Sequence, residues 1–243
     1  MKKKPVRKVK LHKISKYLDE MGNSIVSSDI YEDVKVSFRG FNNKLIIHNT
    51  TRLDVFSLSF ECDDGYVEIK GHEIAGKGIK ASIRVGEKSR VIIGSDLTCT
   101  GVVSISAAEG SSVIIGDDCM FASQNEVRSD DAHPIFDIRS GKRINMSQDV
   151  YIGDHVWLAK RAVVLGGSDI REGSVIGFSA VIKGHIPNNC IAVGIPARVI
   201  KKDIAWERPH LSISKPYVKP DKASISISKY WRFTQEIDDT EAK

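Results

Sequence analysis

The chain has 243 residues, 41% hydrophobic and 28% charged, with a formal net charge of +5 at neutral pH. That composition can bury the core of one elongated domain with appendages and excludes a disordered polymer. No apolar run approaches the ~18 residues of a membrane span. The basic start leads into no hydrophobic signal segment, which points to the cytoplasm.

Residues 1–30 form a basic segment, and its Val9, Leu11, Ile14 and Leu18 have the spacing of a short amphipathic helix. It reads either as a solvated tail or as a contact with a membrane surface. Residues 31–66 carry strand-like runs with irregular turns, fitting either imperfect coils of a repeat or a capping sheet.

From 67 to 200 the chain counts in sixes. Val85 and Val91 are six apart; Ile93, Cys99 and Ile105 follow at the same step, then Ile115, Phe121 and Val127. Two register shifts separate these groups. After an excursion over residues 128–150, Ile152, Leu158, Val164, Ile170, Ile176 and Ile182 resume the step without a break. Four positions after each of these stand Val156, Ala162, Ser168, Ser174, Ala180 and Ile186, mostly small.

A period of six is neither the ~3.6 of a helix nor the alternation of a half-buried strand. It predicts a solenoid whose coils bury one another's apolar side chains. Three six-residue sides close a triangular coil of about eighteen residues. Ile152, Ile170 and a residue near Asn188 then share one column, as do Leu158 and Ile176. Residues 201–243 lose the period and form an extension that caps the solenoid or reaches a neighbouring subunit. The four cysteines, Cys62, Cys99, Cys119 and Cys190, lack any CxxC spacing and read as free thiols.

The stretch YIGDHVWLAKRAVVLGGSDIREGSVIGFSAVIKGHIPNNCIAVGIPARVIKK resembles the C-terminal half of the hexapeptide-repeat O-acetyltransferases. The resemblance covers roughly residues 115–202 and includes the upstream His133-Pro134, the Trp157 turn and the GIPAR terminus in the family's order. Maltose and galactoside O-acetyltransferases and bacterial capsular polysaccharide O-acetyltransferases share this pattern. It implies a mainly β, left-handed parallel β-helix that assembles as a homotrimer, with an acetyl-CoA site in each cleft between subunits.

His133 is the expected general base. Acetyl transfer from a thioester to a sugar hydroxyl needs a proton removed from an alcohol of high pKa, and imidazole titrates near neutrality. Proline at 134 is expected to hold Ala132 and His133 extended. Asp130, Asp131, Asp137 or a backbone carbonyl could orient the ring; a loop histidine merely bonded to nearby acids is the plain alternative. Trp157 is turned outward by the pattern; by resemblance it shapes the acceptor and thioester pocket, and ordinary trimer-interface area is the alternative, while His155 reads as an exposed corner residue.

The resemblance places Lys160, Phe178, Lys183 and Gly184 along the cofactor arm and Arg198 and Lys201 near its phosphates. Phe178 stands where relatives have a small residue, and Arg198 and Lys201 could equally cap the last coil.

The expected acceptor is a carbohydrate, in particular a polysaccharide; Arg128, Arg139, Lys142 and Arg143 could meet an acidic one, and a solvated basic loop is the equally simple reading. No nucleic acid partner and no metal are expected. The basic N-terminus allows peripheral association with a membrane-bound capsule assembly complex. An N-acetyltransferase acting on an amino sugar and a non-catalytic scaffold are the alternatives. A zinc site of the γ-carbonic anhydrase type would need His133, His155 and His185 to converge, and their spacing does not suit it.

Overall fold

The computed structural model describes residues 8–74, 78–213, 215–218 and 221–235. The first seven residues of the basic segment and the last eight of the extension lie outside the described residues. Strands in the described residues form three sheets, of eight, nine and six strands, which are the walls of a triangular prism. No described helix is long and apolar enough to cross a membrane.

Each wall is a ladder of parallel pairs between successive coils, and the inward residue of each rung is buried. Ile93, Ile115, Ile152, Ile170 and Ile186 stack on the nine-stranded wall. Cys99, Phe121, Leu158, Ile176 and Ala192 stack on the six-stranded wall. Ile105, Val127, Val164 and Ile182 do so on the eight-stranded wall. All of these side chains are essentially inaccessible to solvent. The expected mainly β parallel solenoid is therefore the observed fold. Ile170 pairs with Ile186, two positions before Asn188, so the last coil is two residues shorter than the one before.

The register shifts have a single location. From Ile93 to Cys99 to Ile105 the step is six, but the chain then takes ten residues to reach Ile115 on the nine-stranded wall. The excursion leaves the same corner, between Val127 on the eight-stranded wall and Ile152 on the nine-stranded wall. Extra chain is accommodated at this one edge of the prism, where the strands Ile79–Val85 and Val103–Ala107 are also long.

Position 67 marks no structural break. Ser24–Ser27 pairs in parallel with Lys44–Ile47, which pairs with Tyr66–Ile69, so the coils begin by Ser24 and residues 31–66 are coils, not a capping sheet. They are longer than the eighteen-residue coil from Ile152 to Ile170, with twenty residues from Ile25 to Leu45 and twenty-two from Leu45 to Val67. Larger side chains fill the added width, with Tyr17 stacked on Phe38 and Phe38 on Phe60 at 5.7 and 5.1 Å.

The amphipathic helix is not formed. Lys8–Leu11 is a strand antiparallel to Lys35–Arg39, with Val9 and Leu11 packed toward the core and Lys8 and Lys10 exposed. Pairing satisfies backbone groups at an otherwise open sheet edge, a gain an isolated one-turn helix could not match.

Candidate active site

The excursion is built, not loose. Ser129 donates its amide to Ser106 and accepts from the Gln148 amide at 3.0 Å, which closes the base of the loop. Above it the chain folds into a small hairpin, with Ile144 donating to the Ile135 carbonyl and Asp137 to that of Lys142. Arg143 reaches back to grip both carboxylate oxygens of Glu109, and the Ser147 hydroxyl donates to the same group at 2.8 Å. The Arg143 and Ser147 hydrogen bonds pull the Glu109 pKa down to about 2.

Asn145 is the central clamp. Its amide group donates to the His133 carbonyl at 2.9 Å and to Asp131 at 3.0 Å, and its side-chain oxygen accepts from the Ile135 amide at 2.7 Å. The main chain on both sides of Pro134 is thereby fixed while the His133 side chain stands exposed.

The aspartates serve other ends. Asp130 is buried and accepts from Ser106, Arg84 and the Ala132 amide; Asp131 is held by Asn145, and Asp137 accepts from the Ser140 amide. None of the three is bonded to the His133 ring. Nor is Ala132 extended: it has φ 63°, in a tight turn closed by the His133 amide donating to Asp131 at 2.8 Å. Proline constrains only the residue directly before it, so the turn one position earlier is unopposed.

Arg128 and Arg143 are likewise engaged. Arg128 donates to the Asp130 carbonyl and pairs with Glu126, leaving only Arg139 and Lys142 of the four loop cations without an ion pair among the described residues.

Trp157 lies on the outer side of the six-stranded wall, between Met120 and Val175. In a triangular prism that wall is opposite the corner from which His133 projects. One chain therefore does not bring His133 and Trp157 together. Beside Trp157, residues 207–211 and Ile225 of the extension enclose an apolar cavity of about 420 Å³ over Met120.

The extension docks along the edge between the nine- and six-stranded walls. At this edge the third residue after each inward aliphatic has a left-handed backbone: Asp96, Asp118, His155, Gly173 and Asn189, with φ from 51° to 70°. His155 is not an exposed corner residue. Its ring is buried between Trp206 and Tyr230, with centroids at 4.0 and 4.4 Å, and bonds Asp118 at 2.6 Å and the Trp206 carbonyl at 3.0 Å. Arg208 donates to the Asp118 carboxylate, to Thr98 and to the carbonyls of Asp96, Asp118 and Cys119. Burial opposes the Asp118 carboxylate, but the His155 and Arg208 bonds outweigh it and hold its pKa below the ordinary range. Only the third dimension could assign these partners, since Trp206 lies 51 positions from His155.

Lys160 and Phe178 follow one another on the corner between the six- and eight-stranded walls, where the Lys160 carbonyl accepts from the Ser179 amide. Phe178 is exposed, with the Arg161 guanidinium 5.9 Å from its ring centroid. Lys183 and Gly184 are on the next corner, and the Gly184 carbonyl accepts from Asp169. Arg198 and Lys201 are exposed on the terminal strand Ala197–Lys201, antiparallel to Ile191–Gly194. The six residues thus ring the C-terminal half of the prism and do not form one pocket within a chain.

The thiols are free, and those of Cys99, Cys119 and Cys190 are buried. Burial pushes Cys99 up to about 11 and Cys119 to about 12, which suits packing and not nucleophilic attack. His185 pairs with Asp169 and His155 with Asp118, each within its own edge or wall of the solenoid, so the two do not converge with His133.

A six-residue period, a triangular parallel solenoid and a clamped histidine loop define the hexapeptide-repeat class of transferase scaffolds. No family model matches the chain. It is 36% identical over 141 residues to the polysialic acid O-acetyltransferase of Escherichia coli O1:K1, covering 58% of this chain and 42% of that protein. It is 33% identical over 112 residues to the polysialic acid O-acetyltransferase of Neisseria meningitidis, covering 46% and 52%. The chain thus spans about half the length of these curated relatives. Among solved structures, the polySia-specific acetyltransferase NeuO superposes with a TM-score of 0.68 at 34% identity, covering 80% of this chain and 88% of that one. The polysialic acid O-acetyltransferase OatWY gives 0.64 at 25% identity, covering 80% and 92%. This chain belongs to the hexapeptide-repeat O-acetyltransferase family of left-handed β-helices.

Proposed function

We propose that this protein transfers an acetyl group from acetyl-CoA to a hydroxyl of a carbohydrate polymer, with His133 as general base, in a homotrimer. The observation that carries the reading is the excursion itself. It is the one long departure from the solenoid wall among the described residues, it is clamped by Asn145 and Arg143, and it leaves an exposed imidazole on an immobilised backbone. Such pre-organisation is what a base needs if positioning is to lower a barrier.

His133 takes the proton of the attacking hydroxyl as its oxygen bonds the acetyl carbon, and returns that proton to the thiolate sulfur as the C–S bond breaks. Neither carbon nor sulfur changes redox state, and no covalent enzyme intermediate is required. Lys160, Lys183, Arg198 and Lys201 are exposed and have no ion pair among the described residues, which leaves their charge available to the phosphates of coenzyme A. Backbone groups at Phe178 and Gly184 complete the cradle for the pantetheine arm.

The placement of His133 opposite the Trp157 wall supports the trimer. A neighbouring chain must supply the Trp157 wall, and closed cyclic assembly repeats that contact at every cleft. An acidic polymer as acceptor is supported by the similarity to the two polysialic acid O-acetyltransferases.

The test is CoA release from acetyl-CoA with polysialic acid, neutral polysaccharides and simple sugars, for the wild type and His133→Ala. Acceptor-dependent release that vanishes in an intact His133→Ala oligomer is expected. Equal release by both proteins would overturn the role of His133, and a base-stable amide product would overturn O-transfer.

A further inference from the structure

The outer side of the eight-stranded wall has a composition of its own. Between the N-terminal strand and the excursion its outward positions include Ser37, Ser57, Ser59, Ser82, Ser104 and Ser106. Short hydroxyl side chains on a pleated wall leave a trough where larger ones would fill it. They also present paired donors and acceptors: Ser37 to Ser59 and Ser57 to Ser82 are each bonded at 3.1 Å.

The trough is continuous. A groove of about 560 Å³ at the N-terminal end runs over Lys10, Lys35, Ser57 and Ser59 to Ser82 and Arg84. A second of about 320 Å³ shares Ser82 and Arg84 and continues over Ser104 and Ser106 to Ala132, the residue before His133. At ~4.8 Å per strand, the five strand-to-strand steps from Lys8–Leu11 to Glu126–Arg128 span roughly 24 Å.

Its charge is graded. Near the excursion Arg84 and Arg128 are paired with three carboxylates, Glu61, Asp130 and Glu126, so neither leaves a free positive charge there. At the far end Lys8, Lys10 and Lys35 are exposed and have no ion pair among the described residues. The nine-stranded wall is different. Ile92, Ile114 and Tyr151 stack as an outward apolar stripe flanked by Glu68 and Arg90, the mixed apolar, aromatic and arginine character of a protein interface. A second copy of the chain suits that wall; the serine and lysine trough suits a hydroxyl-rich polyanion.

We propose that the outer side of the eight-stranded wall is a binding track for an extended anionic glycan, anchored at Lys8, Lys10 and Lys35 and delivering its chain to His133. This rests on the O-acetyltransferase reading above and adds to it where the polymer lies and why length matters. Distal anchors raise the local concentration of acceptor hydroxyls at the base without touching the reacting atoms.

The experiment measures binding of long polysialic acid, of hyaluronan as a second polyanion and of dextran as a neutral control to His133→Ala protein, by fluorescence anisotropy at several salt concentrations. The same is done for Lys10→Glu/Lys35→Glu and for Ser82→Trp, which fills the trough, each in the His133→Ala background. Salt-sensitive binding of a polyanion, about tenfold or more weaker in both variants with oligomer mass and circular dichroism unchanged, is expected. The two variants with His133 intact should turn over a short sialic acid oligomer like the wild type and lose kcat/KM only on the long chain. Polyanion binding unaffected by either variant, or no binding of either polyanion, overturns the track. Loss of turnover on every acceptor in the wild type would instead count against the catalytic reading and leave the binding result standing.

Discussion

Replacing Arg208 by alanine should release the C-terminal extension from the solenoid while leaving the solenoid folded. Its guanidinium makes five bonds, at 2.6 and 2.8 Å to the side chains of Asp118 and Thr98 and at 3.1, 2.7 and 3.0 Å to the carbonyls of Asp96, Asp118 and Cys119. Four-fifths of the side chain is buried, so the ion pair is only partly screened. Bonds to charged groups contribute ~1.5–3 kcal/mol each in isolation but are far from additive for one guanidinium that water solvates after release. A net cost of about 3 kcal/mol to docking is a reasonable central value, roughly a hundredfold in the docked-to-free ratio. Limited proteolysis reads that ratio, because cleavage of a segment that opens rapidly follows its open population. Cleavage at Trp206, which is buried while the extension is docked, should be roughly a hundredfold faster in Arg208→Ala. Arg208→Lys should fall between, since an ammonium has three donors and lacks the planar fork. Cleavage within about twofold of wild type would refute the assignment of Arg208 as the lock, as would loss of the whole solenoid's melting transition.

Acid should release the same segment. The Asp118 pKa is depressed in the folded protein, so its contribution is complete above the ordinary aspartate value of ~3.9 and is lost as pH falls through the lower folded value. Protease sensitivity of the extension should therefore rise only below about pH 4, and a rise centred near neutrality would contradict the Asp118 pairing. Asn145→Ala removes the clamp beneath His133 and should lower kcat/KM about tenfold or more, while the melting temperature moves by less than about 3 °C because only the excursion loosens. Unchanged kcat/KM would show that the clamp does not position the base. Phe60→Ala opens the aromatic stack of the wide coils, where Phe60 is fully buried, and should cost about 3–5 kcal/mol in denaturant unfolding. A loss below about 1 kcal/mol would mean that the wide coils collapse without strain.

The sequence alone determined the solenoid from Ile93 to Ile182. Inward aliphatics must recur at the length of one wall, and that requirement is local to each rung, so a step of six survives in the order of residues. It also located the excursion, because a break in a strict count is as legible as the count. His133 lies in that excursion, but it was the resemblance of His133-Pro134 and the motifs downstream of it, not the count, that made it the expected base.

What the tertiary structure alone decided is whatever depends on residues far apart in the chain. The wide coils from Ser24 to Ile69 hide their period because aromatic side chains and longer strands let coil length vary, and only pairing such as Leu45 with Val67 reveals it. Arg128 and Arg143 read as free cations until Glu126 and Glu109 are seen against them. His155 reads as a corner residue because the rings that bury it, Trp206 and Tyr230, arrive from an extension with no period of its own. The serine trough was equally silent: each serine is an ordinary outward strand residue. It becomes a surface only when parallel stacking brings positions about twenty residues apart to within ~5 Å.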